Sequence, residues 1–535
     1  MASSTVEKFA PDESIISVPA GIEDQHGFRR QIGHISRHSS IYFIGTLFGL
    51  ALGYPFKIYL ARVLGPDALG IYALGMTIIG FLGIFNSLGI PQSAVRFVSA
   101  YLANNNSELL RGFLLRGTLL LVFANLIFGV VIWRTGPWIA VHFYHAPLLG
   151  PYFGWFAIIM LFGVMNGFFA QVLCGYKDVA RRTFITNFVG NPLTMILTVV
   201  FVSAGLGLRG YIVAQVLSAF AVGFLLIVAV WRLTPQAARS FSLQVPILEK
   251  QVISFSAVAL GMSFVEFLMA QADKILIGFY LDTRALGIYA VTAALIAFVS
   301  IILDSVNQIF SPSIAHLHAR GEIELLGRIY QTLTKWVLGL TMPLAAVMII
   351  FASPLMRIFG HDFELGWSIL VIGIAGQLVN CAVGSVGYLL LMSGNQARLI
   401  KIQSIMAIVT VILALLLIPR WGLVGAAVAS AAANAGANLW CLLEVRRRLN
   451  VFPYNRTYLR FTLPLLATLA ILLLLREKLG AVHPEWIVIA SALVLGQVTF
   501  MTAAVMFGLD TDDKLVISAI WYRMQQVFHF AGANA

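Results

Sequence analysis

Two lysines lie inside strongly apolar stretches of the chain, where a charge is costly and therefore informative. Lys57 and Lys274 are 217 residues apart, which is the interval at which the run Ala68–Ala73 recurs as Ala285–Ala290. Ammonium groups at equivalent positions of two halves could bind one phosphate-containing group from both sides. Alternatively, each side chain reaches along its helix to the membrane surface. The apolar stretch that contains Lys57 begins near Ser39. Lys57 lies 18 residues further on, or about 27 Å along a helix, and is therefore in the outer half of the stretch.

Three carboxylates accompany the lysines and could contact a substrate or bind a coupling ion. Glu266 lies midway along the apolar stretch 252–280, and Asp273 follows seven residues later on nearly the same helix face. Intramembrane ionisable groups cost at least about 2.5–3.5 kcal/mol each to insert, so they usually face a cavity or a partner. Glu266 is expected to face a cavity, whereas Asp273 could do so or could pair with Lys274. Asp304 is the third candidate, although its place near the end of a stretch is also typical of an interfacial residue.

Four arginines could contribute to anion binding. Arg62 follows Lys57 by five residues and is grouped with the two lysines as a head-group ligand. Arg96, Arg111 and Arg116 cluster where the second and third apolar stretches meet the cytoplasm, at a point where an anionic group could enter. Basic residues are also ordinary at such positions, so these three could act only in orienting the chain.

The sequence contains no pattern typical of a metal, nucleotide or hydrolytic site. His142 and His145 lack a third ligand, and the three cysteines are widely separated without metal-ligand spacing. A P-loop, a Gly-x-Ser-x-Gly motif and a His-Glu-x-x-His motif are all absent. We therefore expect neither a cofactor nor a metal, and no enzymatic activity.

An internal repeat indicates which elements must position these residues. Three further short runs recur at intervals of 215 to 217 residues. They are Glu108–Leu110 with Glu324–Leu326, Ala180–Arg181 with Ala397–Arg398, and Gly207–Gly210 with Gly422–Gly425. Membrane proteins built from two homologous halves usually bind their cargo between the halves. The repeat therefore predicts a transport protein whose site lies between residues of the two copies.

The composition excludes a water-soluble globular protein. Hydrophobic residues make up 59% of the chain and charged residues 11%, with a mean hydropathy of +0.89, against about 25% charged residues in an ordinary soluble domain. The net charge of +12 resides in short loops between apolar runs. These basic residues are expected to orient the chain in a membrane rather than to bind nucleic acid.

The apolar stretches predict an all-α polytopic membrane protein with about fourteen transmembrane helices. The loops on the side of the membrane that holds the N-terminus carry 25 Lys and Arg residues, and those on the opposite side carry 8. By the positive-inside rule this places both termini in the cytoplasm. Each repeat holds six spans and so has the same orientation. The predicted divisions are a cytoplasmic arm (1–38), a first six-helix lobe (39–240), a second lobe (250–445), two further helices (455–508) and a cytoplasmic tail (509–535).

Two motifs in this arrangement resemble bacterial polysaccharide-transporter proteins, the oligosaccharide flippases. They are Ala61-Arg62-Val63-Leu64-Gly65-Pro66, which precedes Ala68–Ala73, and Asp273-Lys274-Ile275-Leu276-Ile277-Gly278, which precedes Ala285–Ala290. The flippases share a superfamily with multidrug antiporters and lipid II flippases. The resemblance covers roughly residues 35–510 and includes the number of helices.

The resemblance implies two six-helix lobes in a V-shaped arrangement around a cavity that opens alternately to either side of the bacterial plasma membrane. The implied cargo is an oligosaccharide on a polyprenyl pyrophosphate, moved from the inner to the outer leaflet for cell-surface polysaccharide biosynthesis. Lys57 and Lys274 fit the cationic cavity that the resemblance implies, whereas Glu266 and Asp273 reduce its positive charge. An ion bound to a carboxylate could control whether the neighbouring lysine is free to bind the cargo. The protein is expected to be a monomer, and only the resemblance suggests glycan-assembly proteins as partners.

Two other functions stay open at this point. A cation-coupled multidrug antiporter of the same fold would use Glu266 and Asp273 as its ion sites. A membrane glycan polymerase or ligase would act on the same lipid-linked donor, but such an enzyme is expected to present a large outer loop. The longest outer segments here, 133–147, 352–364 and 476–485, are short. Cargo charge would discriminate between the antiporter and the flippase.

Overall fold

Every regular element of the chain is helical in the computed structural model, which describes residues 22–239, 248–479, 485–506 and 513. Helix α1 begins at Ile22, inside the predicted cytoplasmic arm, and residues 1–21 lie outside the described part. The helices before the second copy of the repeat are α1 (Ile22–Asn86), α2 (Ile90–Ala103), α3 (Ser107–His142), α4 (Phe153–Gly175), α5 (Val179–Thr183), α6 (Asn191–Phe201), α7 (Gly207–Leu233) and α8 (Gln236–Arg239).

The second copy and the C-terminal region continue this pattern. The helices are α9 (Lys250–Tyr280), α10 (Thr283–Phe298), α11 (Ile301–Ala319), α12 (Ile323–Ile350), α13 (Ala352–Arg357), α14 (Trp367–Val383), α15 (Val386–Met392), α16 (Gln396–Leu449), α17 (Thr462–Leu479) and α18 (Glu485–Met506). Of the predicted tail 509–535, only Asp513 is described. The predicted all-α class is confirmed, since no described residue forms a strand.

Within the described residues, nine helical segments are long and apolar enough to cross a membrane, or ten if α10 and the start of α11, bent by 49°, form one span. Three of these segments contain 39, 55 and 54 residues, although about 20 are needed for one crossing. Each is broken at a glycine with positive φ: Gly65 (74°), Gly205 (85°) and Gly422 (56°). The protein is therefore a multi-pass membrane protein, and the number fourteen stays a prediction.

Proline and glycine explain two of these breaks. Pro66 directly follows Gly65, and a proline disfavours helical geometry at the residue before it. Pro419 lies three residues before Gly422, so the helix loses a main-chain hydrogen bond where the chain must turn. Because glycine tolerates positive φ without a Cβ clash, these residues let one apolar run end and the next begin immediately. We call the end of the molecule at Gly65 the outer end, following the predicted orientation.

The two copies of the repeat share one apolar core and also have cores of their own. The shared core contains Leu74 and Phe156 from the first copy together with Ile288 and Met356 from the second, all buried. Separate buried clusters lie within residues 90–252 and within residues 310–451. A further cluster joins α12 to α17 and α18. The division into lobes at 39–240 and 250–445 stays a prediction.

Candidate functional site

The two lysines that lie at equivalent positions of the repeat are brought together by α1 and α9. Lys57 and Lys274 are close enough for their charges to repel each other. Lys57 is exposed, with its Nζ atom 4.9 Å from the centre of the Tyr54 ring. Lys274 is partly exposed and donates a hydrogen bond of 2.7 Å to Oε1 of Gln271. Neither lysine forms a salt bridge with a described carboxylate, although the Asp273 carboxylate interacts electrostatically with Lys274. Lys57 and Lys274, one from each copy, thus share one region.

Contacts between α1 and α10 hold this region together. The Tyr54 hydroxyl donates a hydrogen bond of 2.9 Å to the carbonyl oxygen of Ala294, and the Tyr54 ring packs edge-on against Phe298 at 5.0 Å. Tyr54 lies three residues before Lys57 on the same helix face. The tyrosine therefore fixes the first copy against the second within one turn of the lysine.

The outer ends of the two copies pack symmetrically. A Cβ atom on Gly70 would overlap the carbonyl oxygen of Thr283, and a Cβ atom on Gly287 would overlap the carbonyl oxygen of Pro66. Both glycines belong to the recurring run, so the repeated motif builds the contact from both sides. Arg62 extends this contact, because its Nε–H donates a hydrogen bond of 2.7 Å to the carbonyl oxygen of Ile358. Arg62 is thus engaged with the other copy at the outer end.

The three candidate carboxylates occupy different environments. Glu266 is exposed on α9, and no hydrogen bond or salt bridge joins it to another described residue. Asp304 is exposed on α11 and accepts a hydrogen bond of 3.1 Å from its neighbour Ser300. Asp273 is only 7% exposed. The sequence could not separate these cases because all three lie in apolar runs.

Asp273 joins three helices inside the second copy. Its Oδ2 atom accepts a hydrogen bond of 2.5 Å from the Tyr289 hydroxyl, and its Oδ1 atom accepts one of 2.7 Å from the main-chain N–H of Lys274. Ser430 on α16 lies beside this carboxylate. These contacts leave Asp273 within the packing of α9, α10 and α16 rather than beside Glu266.

The first copy has a different set of groups at this place. Phe56 stands at the position equivalent to Asp273, and Tyr72 stands at that of Tyr289. The Tyr72 ring centre is 4.6 Å from that of Tyr211, and the Tyr211 hydroxyl accepts a hydrogen bond of 3.1 Å from Gln215. Thus a neutral tyrosine pair in one copy replaces a buried carboxylate–tyrosine pair in the other.

The inner half of the interface between copies is aromatic and polar. Phe81 and Phe85 of α1 pack against Phe264 and Phe267 of α9, with ring centres 5.7 to 6.3 Å apart. Beside these rings, the amide of Gln92 donates a hydrogen bond of 3.1 Å to the hydroxyl of Ser263, the residue before Phe264. Through these contacts α1 and α2 pack against α9 on the cytoplasmic side of the lysines.

Arg96 lies in a cleft of about 230 Å³ at the predicted cytoplasmic end of this interface. Its guanidinium group stacks over Phe255 at 5.0 Å and over Phe97 at 5.6 Å. Beside it, the Tyr101 hydroxyl donates a hydrogen bond of 2.8 Å to Glu249. Burial and the Glu249 carboxylate raise the pKa of Tyr101, so the hydroxyl stays protonated and remains a donor. The other two entry arginines, which belong to α3, do not line this cleft; they are Arg111 and Arg116.

Four carboxamides that the sequence analysis missed lie between α14 and α16. They form a hydrogen-bonded series and are all half-buried: Gln377, Asn380, Asn434 and Asn438. A signal was available, because Asn434 and Asn438 are four residues apart within an apolar run and thus share a helix face. Uncharged residues are harder to notice than charges, since they are less costly in a membrane.

These features define a multi-pass membrane protein with a transporter fold. It is built from two packed copies of a repeat, each of which contributes one lysine to a shared region. The chain belongs to the family described as polysaccharide biosynthesis protein, whose model matches residues 59–364, more than half of its length. No curated protein sequence matches the chain.

Solved structures with the fold of the MOP superfamily are similar to the chain. The lipid II flippase MurJ, in an inward closed conformation, has a TM-score of 0.68 at 15% identity, covering 87% of this chain and 98% of MurJ. An inward-facing multidrug resistance MATE family transporter has a TM-score of 0.60 at 14% identity, covering 77% and 97%. A variant of the Vibrio cholerae MATE transporter VcmN has a TM-score of 0.54 at 16% identity, covering 80% and 100%.

Proposed function

We propose that this protein is an alternating-access flippase of the bacterial plasma membrane. Its cargo is an oligosaccharide linked to a polyprenyl pyrophosphate, moved from the cytoplasmic to the outer leaflet for cell-surface polysaccharide biosynthesis. The observation that carries the proposal is the proximity of Lys57 and Lys274, one from each copy of the repeat, without a salt-bridged carboxylate. The family described as polysaccharide biosynthesis protein supports the glycan part of the cargo.

A pyrophosphate explains why two like charges lie together. Two neighbouring ammonium groups repel each other, and the repulsion is strong where the local dielectric constant is low. An anion placed between them turns this repulsion into two attractions, so the pair is a preformed anion site. Lysine suits this role because its compact ammonium group donates in three directions. The polyprenyl tail would remain in the lipid while the sugars occupy the cavity.

Alternating access would come from motion of one six-helix lobe against the other, with both termini in the cytoplasm. The symmetric contact at Gly70 and Gly287 closes the outer end. We assign Arg62 to this closure, since its guanidinium group is bound to Ile358, rather than to the pyrophosphate. Asp273 stabilises the packing of helices within the second lobe. Arg96 is the candidate residue for contact with the anionic cargo where it enters from the cytoplasm. The proposal requires neither a cofactor nor a catalytic residue.

A cation-coupled antiporter of the same fold is the second candidate. Glu266 favours it, because an exposed intramembrane carboxylate without a described partner could bind a proton, a sodium ion or an organic cation. In the flippase, the same carboxylate would instead couple lysine availability to an ion gradient. The charge of the bound cargo separates the two functions.

Native mass spectrometry of the gently purified protein tests the proposal. The wild type is compared with Lys57→Ala/Lys274→Ala and with a control, Lys401→Ala/Lys478→Ala, which removes two exposed lysines from elsewhere in the chain. We expect a polyprenyl-pyrophosphate glycan on the wild type and the control and its loss from the first variant. Retention of this lipid by the first variant would exclude the lysine pair as its site. Organic cations in place of such a lipid would favour the antiporter.

A further inference from the structure

The carboxamides between α14 and α16 form a connected row. The Oε1 atom of Gln377 accepts hydrogen bonds from Asn380 at 3.1 Å and from Asn434 at 3.4 Å. Asn438 donates to Oδ1 of Asn434 at 3.0 Å. We call these four residues, Gln377, Asn380, Asn434 and Asn438, the carboxamide row. Its members hold one another in place from two facing helices.

The row keeps donors and acceptors available. No described residue accepts a hydrogen bond from Nε2 of Gln377, and none donates one to Oδ1 of Asn380 or Oδ1 of Asn438. None of these three is among the fully enclosed polar atoms without a partner, so each is accessible from open space. A free amide facing acyl chains would cost several kcal/mol. The accessible groups are therefore expected to face polar space rather than lipid.

The row belongs to the second copy alone. Three of the four equivalent positions in the first copy carry no carboxamide: they are Gly163, Ala219 and Gly223, and the fourth is Asn166. In the first copy a single amide, Asn166, lies near this face and donates to the main-chain carbonyl of Ala219. Since one copy folds without the row, the helix packing does not require it. This asymmetry favours a ligand-binding role.

The position of the row relates it to the lysine pair. Ser430 contacts Asp273, the neighbour of Lys274. Asn434 and Asn438 follow Ser430 on the same face of α16, about 6 and 12 Å further along the helix. A ligand with its anionic group between the lysines could thus extend its next groups along the row.

We propose that the carboxamide row binds the hydroxyl groups of the sugars nearest the pyrophosphate of the cargo. Sugar hydroxyls both donate and accept hydrogen bonds, and each carboxamide offers a donor and an acceptor in one plane. The row has no charge, so it suits the uncharged part of the ligand. This inference rests on the proposed flippase function and adds to it the residues that distinguish a glycan-bearing lipid from a bare one.

Competition between two lipid probes tests the inference. Native mass spectrometry compares the binding of undecaprenyl pyrophosphate with that of the same lipid carrying one N-acetylhexosamine. We expect the wild type to prefer the sugar-bearing probe and Asn380→Ala/Asn438→Ala to lose about tenfold in that preference, as expected for one or two lost hydrogen bonds. Binding of the bare probe should not change. Asn166→Ala, which removes the amide of the first copy, is the matched control and should keep the preference.

The outcomes separate the two proposals. An unchanged preference in the double variant, or an equal loss of both probes, would overturn the role of the row. Absence of both probes from the wild type would overturn the flippase itself. If the double variant does not fold, Gln377→Glu replaces it, since this near-isosteric change removes the Nε2 donor and should lower the preference in the same way.

Discussion

Gly70 and Gly287 occupy equivalent positions of the two repeat copies, and each lies against the backbone of the helix that carries the other. A Cβ atom on Gly70 would overlap the carbonyl oxygen of Thr283, and one on Gly287 would overlap that of Pro66. The most obvious repeated motif in the sequence thus forms the close crossing between the copies. Small residues allow such an approach of two helix backbones in a membrane.

Gly70→Ala should shift the protein toward a conformation with a wider outer end. Overpacking of this kind costs about 1–3 kcal/mol, and a change of 1–2 kcal/mol alters a two-state ratio by about 5- to 30-fold. Spin labels at the exposed residues Asp67 and His361 would report the outer separation, after replacement of Cys174, Cys381 and Cys441. Gly83→Ala is the control, because its Cβ atom would meet open space. Identical distance distributions for all three proteins would contradict the assignment.

Arg62→Gln should weaken outer closure and leave cargo bound. The variant loses a hydrogen bond to Ile358, worth about 1 kcal/mol, but no contact with the lysine pair. Native mass spectrometry should detect as much bound lipid as in the wild type, and the spin-label distance should lengthen. Arg209→Gln, at another exposed arginine of the predicted outer side, should change neither. Loss of the lipid from Arg62→Gln, but not from Arg209→Gln, would show that Arg62 binds the head group.

Tyr289→Phe should destabilise the protein more than Tyr72→Phe. The first change removes a hydrogen bond to a buried carboxylate, worth about 1.5–3 kcal/mol. The second leaves the ring contact between Tyr72 and Tyr211 in place. Thermal unfolding in one detergent would compare the two variants directly. Equal losses would show that Asp273 does not depend on its tyrosine.

Glu266→Gln should remove the dependence of transport on an ion gradient while lipid binding persists. The variant keeps the shape of the side chain but cannot take up or release a proton. Transport into vesicles would be measured under proton and sodium gradients, with Glu324→Gln, an exposed loop-proximal carboxylate, as the control. If transport by Glu266→Gln matches the wild type under every gradient, Glu266 has no coupling role.

Asp513→Asn should lower stability strongly, because Asp513 forms a buried salt bridge of 2.7 Å with Lys335 of α12. The Asp513 side chain is 2% exposed and that of Lys335 is 4% exposed. Breaking one partner of such a pair costs about 3–5 kcal/mol. The exposed pair Arg284–Asp362 provides the control, since Asp362→Asn should cost less than about 1 kcal/mol. The double change Lys335→Met/Asp513→Leu should recover part of the loss, because it removes both charges but leaves the Trp336 indole N–H without its acceptor.

The sequence by itself determined the membrane class, the two copies of the repeat and the equivalence of Lys57 and Lys274. Hydropathy and periodicity are properties of each stretch alone, so no long-range contact is needed to recognise them. The breaks at Gly65 and Gly422 also have a local cause, because Pro66 and Pro419 act on the backbone next to them. Residue spacing could show that two lysines are equivalent but not that they meet.

Only the tertiary structure decided which charged groups share a region. Glu266 and Asp273 lie on one helix with similar sequence surroundings, yet one is exposed and the other is bound by Tyr289. That difference depends on how α10, which follows α9 along the chain, and α16, which is distant in sequence, pack beside Asp273. The same holds for Arg62, whose partner Ile358 is 296 residues away. The environment of a charge in a membrane protein is set by the helices that pack around it, and local sequence does not encode those neighbours.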